Sequence, residues 1–328
     1  MISANQKKLC LIIDVYGWAF HNIAKEIKKR YPSDIFLYED FEKLIQRKVF
    51  KFDKYNRYVY FFIPYGQDKT KIKIKNYSTS KRLFFLMYEN YTWKTNQILF
   101  NKTKEKFKFL NGIFAASPNI YHDLKKNFNI NLCGSCYDGV DEKIFNYKGY
   151  DVNRYKNKKK LVIGWIGNSD LKYNGKIKRF RELKEFLESK KINDKFVFKP
   201  LDAFEKKIEH NKVPEYIKEI DIIVCFSKSE GTPNQILEAS SCGKCWISTD
   251  VGIVSMLQNT LPNNPCGIIL EKTNDIEKEK ESLRKALMTF YENRELMEEY
   301  GKNGRKAIEH KFRIDLTINN IIKHILNN

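Results

Sequence analysis

The chain has 328 residues, of which 42% are hydrophobic and 30% charged, with a formal net charge of +20. That length suits about two domains of ordinary size, each large enough to bury a core, and the composition excludes intrinsic disorder. No apolar run approaches the roughly 18 residues needed to cross a bilayer.

At the start, Met1 to Lys8 lead into Leu9-Cys10-Leu11-Ile12-Ile13-Asp14. Asp14 cuts the apolar run too short for a signal-peptide core, so the run reads as a first buried strand. Strands are predicted at 9–15, 34–38, 58–63, 83–88 and 112–116, each followed by a loop, as in an α/β domain. Asp14-Val15-Tyr16-Gly17-Trp18 forms the turn at the carboxyl end of the first strand, where ligands bind in open parallel sheets. Gly17 either lets backbone approach a ligand or is a left-handed turn glycine before a helix. Ser117-Pro118 predicts a helix to about residue 127, with Ser117 as N-cap and Pro118 at the first position.

A polar, lysine-rich stretch then runs to Lys160. The domain boundary is expected within 146–160, where composition is least able to build a core, giving domains of 1–148 and 149–328. Leu161-Val162-Ile163-Gly164-Trp165-Ile166-Gly167 reads as a strand that ends in glycine. Residues 195–199 read as a strand and Pro200-Leu201-Asp202 as the loop after it. Val213-Pro214-Glu215-Tyr216-Ile217 opens a helix, and Asp221-Ile222-Ile223-Val224-Cys225-Phe226 has the β-branched, apolar character of a buried parallel strand. Beyond 277 the pattern is helical, and Leu283, Leu287, Phe290 and Tyr291 recur at helical spacing as core residues.

The richest segment is Ser229-Glu230-Gly231-Thr232-Pro233-Asn234-Gln235-Ile236-Leu237-Glu238-Ala239. Thr232 is placed as an N-cap, Pro233 at the first helical position, and Gln235 as the partner that closes a capping box. The unit is therefore strand, loop, helix. Amides at the helix start and the positive end of its dipole favour a diphosphate or a departing anion. Glu230 in the loop and Glu238 inside the helix offer carboxylates that accept hydrogen bonds from sugar and ribose hydroxyls. The spacing alone is weak evidence, because a solvated helix face explains most such glutamate pairs.

That segment, continuing through Ser240-Ser241-Cys242-Gly243-Lys244-Cys245-Trp246-Ile247-Ser248-Thr249-Asp250-Val251-Gly252, resembles the donor-site signature of retaining GT-B glycosyltransferases, specifically glycosyltransferase family 4, the "group 1" transferases. Tyr137-Asp138-Gly139-Val140-Asp141-Glu142-Lys143-Ile144-Phe145 is similar to the N-G-V-D-x-x-x-F segment that ends the family's N-terminal domain, with Asp138 in place of Asn. Tyr300-Gly301-Lys302-Asn303-Gly304-Arg305 and Phe312 resemble its terminal helices. The resemblance is nearly continuous from Tyr137 onward and only architectural before it.

It implies an α/β GT-B fold: two Rossmann-like open parallel-sheet domains facing a cleft, the N-terminal one on the acceptor side, the C-terminal one binding the donor, and a C-terminal helix crossing back to the N-terminal domain. The resemblance assigns Glu230 to the donor sugar and Glu238 to the nucleotide ribose. The backbone around Gly231, Thr232, Pro233 and Asn234 is assigned to the sugar and phosphates. Gly17, Gly167 and Asn168 lie in loops that approach the ligands, and Pro200 and Leu201 border the nucleotide base. Family members often carry Gly-Arg after the first strand of the C-terminal domain and a Lys-Gly further on. Here Gly167-Asn168 lacks the arginine. The lysine role falls to Lys172, Lys176 or Lys178, with Lys176 favoured as a catalytic cation and Arg179 as a substitute for the absent arginine. In so basic a chain, a solvated surface lysine is the alternative for each.

The resemblance further implies metal-independent transfer with retention, by front-face attack within an ion pair. The donor is a nucleotide-diphosphate sugar, UDP- or GDP-linked, and the acceptor a glycan or lipid-linked glycan, commonly in bacterial surface-polysaccharide synthesis. No other cofactor is implied. The helix terminus and its loop would stabilise the departing diphosphate, and none of the five histidines suggests a metal site or triad.

Seven cysteines without an export signal fit a reducing compartment, hence the cytoplasm. Cys133/Cys136 and Cys242/Cys245 have zinc-ligand spacing, but the pairs lie too far apart for a zinc ribbon, and buried thiols are expected. The positive charge is spread along the chain without a nucleic-acid motif, so nucleic acid is not an expected partner. Attraction to an anionic membrane surface, about 1 kcal/mol per basic residue near it, or to an anionic acceptor is the functional alternative to a general lysine bias. A nucleotide-sugar epimerase or phosphorylase of the same fold, a charge-driven nucleic-acid binder, and a non-catalytic glycan- or nucleotide-binding relative stay open as alternatives.

Overall fold

The computed structural model describes residues 8–17, 19–62, 82–88, 91–108, 110–146, 155–170, 175–206, 208–271, 273 and 275–328. Trp18 and Lys172 lie outside the described residues. The chain divides into two compact units, one taking residues up to 138 together with 317–328, the other residues 139–316.

The first unit holds strands β1 (Lys8–Ile13), β2 (Ser33–Leu37), β3 (Tyr55–Tyr60), β4 (Arg82–Met87), β5 (Gly112–Ala115) and β6 (Leu132–Ser135), in the order β2-β1-β3-β4-β5-β6. All are paired in parallel. Leu9, Cys10, Leu11, Ile12 and Ile13 are fully buried, as expected of a central parallel strand covered on both faces. One core combines Ile12, Tyr58, Tyr60, Phe85, Ile113 and Leu124. Aromatic rings fill part of this core: Phe41 and Phe50 meet edge to face at 4.9 Å, and Phe50 stacks on Tyr55 at 5.5 Å. Ser117 caps the helix Pro118–Asn127 as predicted, its hydroxyl accepting from the Ile120 amide at 3.2 Å.

The second unit holds β7 (Leu161–Gly167), β8 (Phe196–Asp202), β9 (Ile222–Cys225), β10 (Cys245–Thr249) and β11 (Gly267–Leu270), in the order β11-β10-β9-β7-β8, again all parallel. Pro200 and Leu201 are a correction to the sequence reading. They lie inside β8, opposite Trp165 and Ile166, and not in a loop. Pro200 is tolerated because β8 is the edge of the sheet, where a missing N–H leaves no ladder bond broken. Asp221, fully buried just before β9, accepts from the Val162 amide at 2.8 Å and pairs with Lys158 at 2.7 Å. The helix Ile276–Glu292 buries Leu283, Leu287 and Phe290, with Tyr291 at the margin of the same core.

From Thr317 on, the last helix, Ile314–Asn327, is counted with the first unit. It buries Ile318, Ile321 and Ile325, and Arg57 donates to the Leu326 carbonyl at 2.6 Å. Gly134 (φ +146°) is required at that contact, because a Cβ there would lie 2.9 Å from the His324 ring. The cysteines are free thiols, buried except for half-buried Cys133. Burial pushes the Cys266 thiol up to about 12. No helix among the described residues is long and apolar enough to cross a membrane.

Candidate active site

In the second sheet the chain runs from β7 outward to β8 and then returns to the other side of β7 to lay down β9. In open parallel sheets such a reversal opens a crevice beyond the carboxyl ends of the two inner strands. The loops after β7 and β9 meet there. The Lys228 amide donates to the Ile177 carbonyl at 2.8 Å, which ties the loop after β9 to the helical turn Gly175–Lys178. Lys178 Nζ thereby reaches Glu230 Oε1 at 2.8 Å, and Ser227 Oγ donates to the same oxygen at 2.8 Å. Both side chains of the ion pair are largely shielded, 21% and 14% exposed. Burial works to lower the Lys178 ammonium, but the field and hydrogen bond of Glu230 outweigh it and hold it above its ordinary range.

The loop continues through Gly231, Thr232 and Pro233, all buried, into the helix Asn234–Ser241. The predicted capping box is corrected: Pro233 occupies the N-cap position with no side-chain cap bond. Gln235 instead accepts from the Ile166 amide at 3.0 Å, which fixes the helix against the end of β7. Gly252, at φ +58°, lies beneath this loop; a Cβ there would come within 2.1 Å of the Gly231 carbonyl oxygen. One turn into the helix, Glu238 is buried, and His210 Nε2 stands 2.8 Å from its Oε1. Burial works to lower the His210 imidazole, while Glu238 and then Asp141 raise it to a net value above its ordinary one.

Asp202, at the end of β8 and only 4% exposed, joins the loops after β7 and β8. It accepts from the Ser169 amide at 3.0 Å, from the Ser169 hydroxyl, and from the Phe204 amide at 3.1 Å. Asn168 uses its side-chain oxygen on the Asp170 amide at 2.8 Å. Gly167 has a reason internal to the fold, since a Cβ there would sit 2.6 Å from the Trp165 ring. Gly175 packs as tightly, 2.1 Å from the Ser169 carbonyl oxygen if a Cβ were added.

Of the sequence candidates for a phosphate-binding cation, Lys176 is exposed and Lys178 faces Glu230. Two residues apart on one helical turn, they point different ways. Arg179 is engaged elsewhere: in a left-handed conformation, φ +51°, it pairs with buried Glu279 and lies over the Phe226 ring at 5.4 Å. Gly17 belongs to the first unit, where it adopts φ +79° at the end of β1 and donates its amide to His21 Nδ1 at 2.9 Å. The residues sequence reasoning missed are Ser227, Asp202 and His210. Ser227 lies three residues before Glu230, just upstream of the recognised segment, whereas Asp202 and His210 act across elements remote in sequence.

The family model described as "Glycosyl transferases group 1" matches residues 68–307. Among solved structures, sucrose-phosphate synthase from Thermosynechococcus elongatus is similar with a TM-score of 0.72 at 12% identity, covering 98% of this chain and 99% of that one. HepE from Anabaena, solved in complex with UDP-glucose, gives 0.66 at 12% identity over 98% and 100% of the two chains. A UDP-forming α,α-trehalose-phosphate synthase from Burkholderia vietnamiensis gives 0.64 at 6% identity over 98% and 100%. At these identities the likeness is one of fold. No curated protein matches the sequence significantly.

Proposed function

The chain belongs to the group 1 glycosyl transferases, with the paired Rossmann-like parallel-sheet domains of the GT-B fold, and we propose that it transfers a sugar, with retention and without a metal, from a nucleotide-diphosphate sugar to a glycan or lipid-linked acceptor. The observation that carries this reading is the Lys178–Glu230 pair at the crevice between β7 and β9, with Glu238 one helical turn beyond. Glu230 accepts hydrogen bonds from the donor sugar hydroxyls and Glu238 from the ribose. Lys178 and the positive end of the helix Asn234–Ser241 oppose the charge that develops on the leaving diphosphate. This protein-borne charge is what supports a metal-free reaction. Lys176, on the exposed side of the same turn, is the second cation. The bond from the anomeric carbon to the phosphate oxygen breaks while one to the acceptor oxygen forms on the same face, and the acceptor proton passes to the diphosphate.

The backbone from Gly231 to Asn234 and the Gly167-Asn168 loop line the phosphates, and the carboxyl end of β8 at Pro200 and Leu201 borders the base. A UDP donor is favoured by the UDP-glucose complex of HepE and the UDP-forming synthase among its structural relatives. Acceptor choice belongs to the first domain, where Gly17 marks the corresponding switch point between β1 and β3. A cytoplasmic location at the membrane face and a role in surface polysaccharide synthesis complete the proposal.

The test is binding of UDP, GDP, ADP and CMP, with and without Mg²⁺, to wild type and Glu238→Ala, read by calorimetry and thermal shift. Selective, metal-independent binding of one nucleoside diphosphate, weakened by the substitution, supports the reading. Stabilisation by none of them overturns it.

A further inference from the structure

We infer that His210 is a positioning residue for Glu238, holding one carboxylate oxygen so that the other is presented to a ribose hydroxyl of the donor. The inference rests on the donor-site reading above and adds a residue outside the recognised motif. His210 Nε2 meets Glu238 Oε1 at 2.8 Å, and no second hydrogen-bond partner of that carboxylate occurs among the described residues. The carboxylate side chain is 9% exposed, so water contributes little to holding it. A carboxylate accepts at both oxygens; with Oε1 engaged, Oε2 remains for a ligand.

The imidazole is itself held by a frame built on Glu238's own helix. Its ring packs against Phe145 at 5.1 Å. The Phe145 carbonyl accepts from Ser241 Oγ at 2.7 Å and from Arg305 Nη1 at 2.9 Å, and the same guanidinium donates to the Ser241 carbonyl at 2.7 Å. Ser241 lies three residues after Glu238 in the helix Asn234–Ser241. Phe145, the last residue of the segment resembling N-G-V-D-x-x-x-F, thus supports the ring that orients the second glutamate. The charged groups acting on His210 are both anions, Glu238 on this helix and Asp141 in the loop before Phe145. They favour the imidazolium, the form that donates most strongly to Oε1.

The experiment titrates UDP, GDP and ADP and their 2′-deoxy and 3′-deoxy counterparts into wild type, His210→Ala, His210→Gln and Glu238→Gln, with a thermal melt of each protein as the folding control. Wild type is expected to prefer one ribonucleotide over its deoxy forms. His210→Ala should bind that ribonucleotide about tenfold more weakly, the loss of one charge-assisted contact, with the deoxy forms nearly unchanged. The preference then collapses as it does in Glu238→Gln, and His210→Gln, which keeps an N–H donor, restores part of it. With UDP-glucose, whose diphosphate does not titrate near neutrality, wild-type affinity should fall as pH rises through the His210 range, and His210→Gln should show no such step.

An unchanged ribose preference in folded His210→Ala overturns the inference while leaving the donor site standing. Tighter ribonucleotide binding in that variant also overturns it, because His210 would then occupy the ribose's place. Failure of every nucleotide to bind wild type overturns the donor-site reading, and this inference with it.

Discussion

Glu230 Oε1 accepts from both Lys178 Nζ and Ser227 Oγ, each at 2.8 Å. One carboxylate oxygen is thus fixed by a cation from the turn after β7 and a hydroxyl from the end of β9, two elements brought together only by the sheet's reversal. Lys178→Met should remove the cation and leave Glu230 with the hydroxyl alone. The expected result is a fall in transfer kcat of about 10²-fold or more, as when a preorganised charge is lost from a leaving group, with a stability cost of about 1–3 kcal/mol. Lys176→Met should cost far less on both measures. Steady-state transfer assays and melts of the two variants decide it, and equal losses would remove the distinction between the two lysines.

Arg179 and Glu279 form a shielded pair, 14% and 2% exposed at their side chains, in which Glu279 also accepts from the Thr273 amide at 3.1 Å. Removing one partner strands the other charge. Glu279→Ala should therefore destabilise the fold by about 3–5 kcal/mol, measured by urea unfolding. Arg179→Met combined with Glu279→Gln should recover much of that loss, because the desolvation cost disappears with both charges. Nucleotide affinity should survive in the double variant. Its loss would make Arg179 a phosphate ligand and reinstate the substitution suggested by the sequence.

The His210–Glu238 contact also sets a pH dependence of stability. The folded-state imidazole is raised above its unfolded value, so the native state binds the proton more tightly than the unfolded chain does. Its stabilising contribution is therefore complete below the unfolded pKa, about 6.5, and is lost as pH rises through the higher folded value. With the side chain 46% exposed, solvent screening keeps the effect small. Melting wild type and His210→Ala across that interval should show a wild-type advantage on the acid side that shrinks toward alkaline pH. An advantage that grows with pH would reverse the assigned direction.

Much of the fold was legible because buried parallel strands announce themselves as uninterrupted apolar runs: β7 spans Leu161–Gly167 as expected, and β1, β4 and β5 differ from expectation only at their ends. The misses have separate physical causes. β6 carries Leu132-Cys133-Gly134-Ser135 at a sheet edge, half-buried and without β-branched residues, so neither composition nor alternation marks it. Pro200 suggested a loop, a rule that fails on an edge strand. Gln235 had the spacing of a capping box, yet tertiary structure offered its oxygen the Ile166 amide. The glutamates of the site were readable because they share one loop and helix. Their partners, Lys178 excepted among the named candidates, were not: Ser227 lies just upstream of the recognised segment, and the contact of His210 with Glu238 depends on where distant loops meet.

Asp202 supports the last prediction. Its carboxylate is buried at the end of β8 and accepts from two residues after β7 and β8, Ser169 and Phe204. Asp202→Ala leaves two amides and a hydroxyl without their acceptor, and each unsatisfied buried donor costs about 1–3 kcal/mol. Exposure of the loops to water will relieve part of this, so a net loss of about 2–4 kcal/mol is expected in urea unfolding. Asp202→Asn keeps an oxygen acceptor and should lose less. The functional consequence is separate from the stability loss. With the loop 168–170 no longer anchored, Asn168 and the neighbouring amides lose their fixed positions toward the phosphates, and nucleoside diphosphate affinity should fall more than nucleoside affinity. Comparing UDP with uridine on wild type and Asp202→Asn, at a temperature where both are folded, isolates that difference. An equal fall for both ligands would mean that Asp202 supports the sheet edge alone and has no part in shaping the phosphate loop.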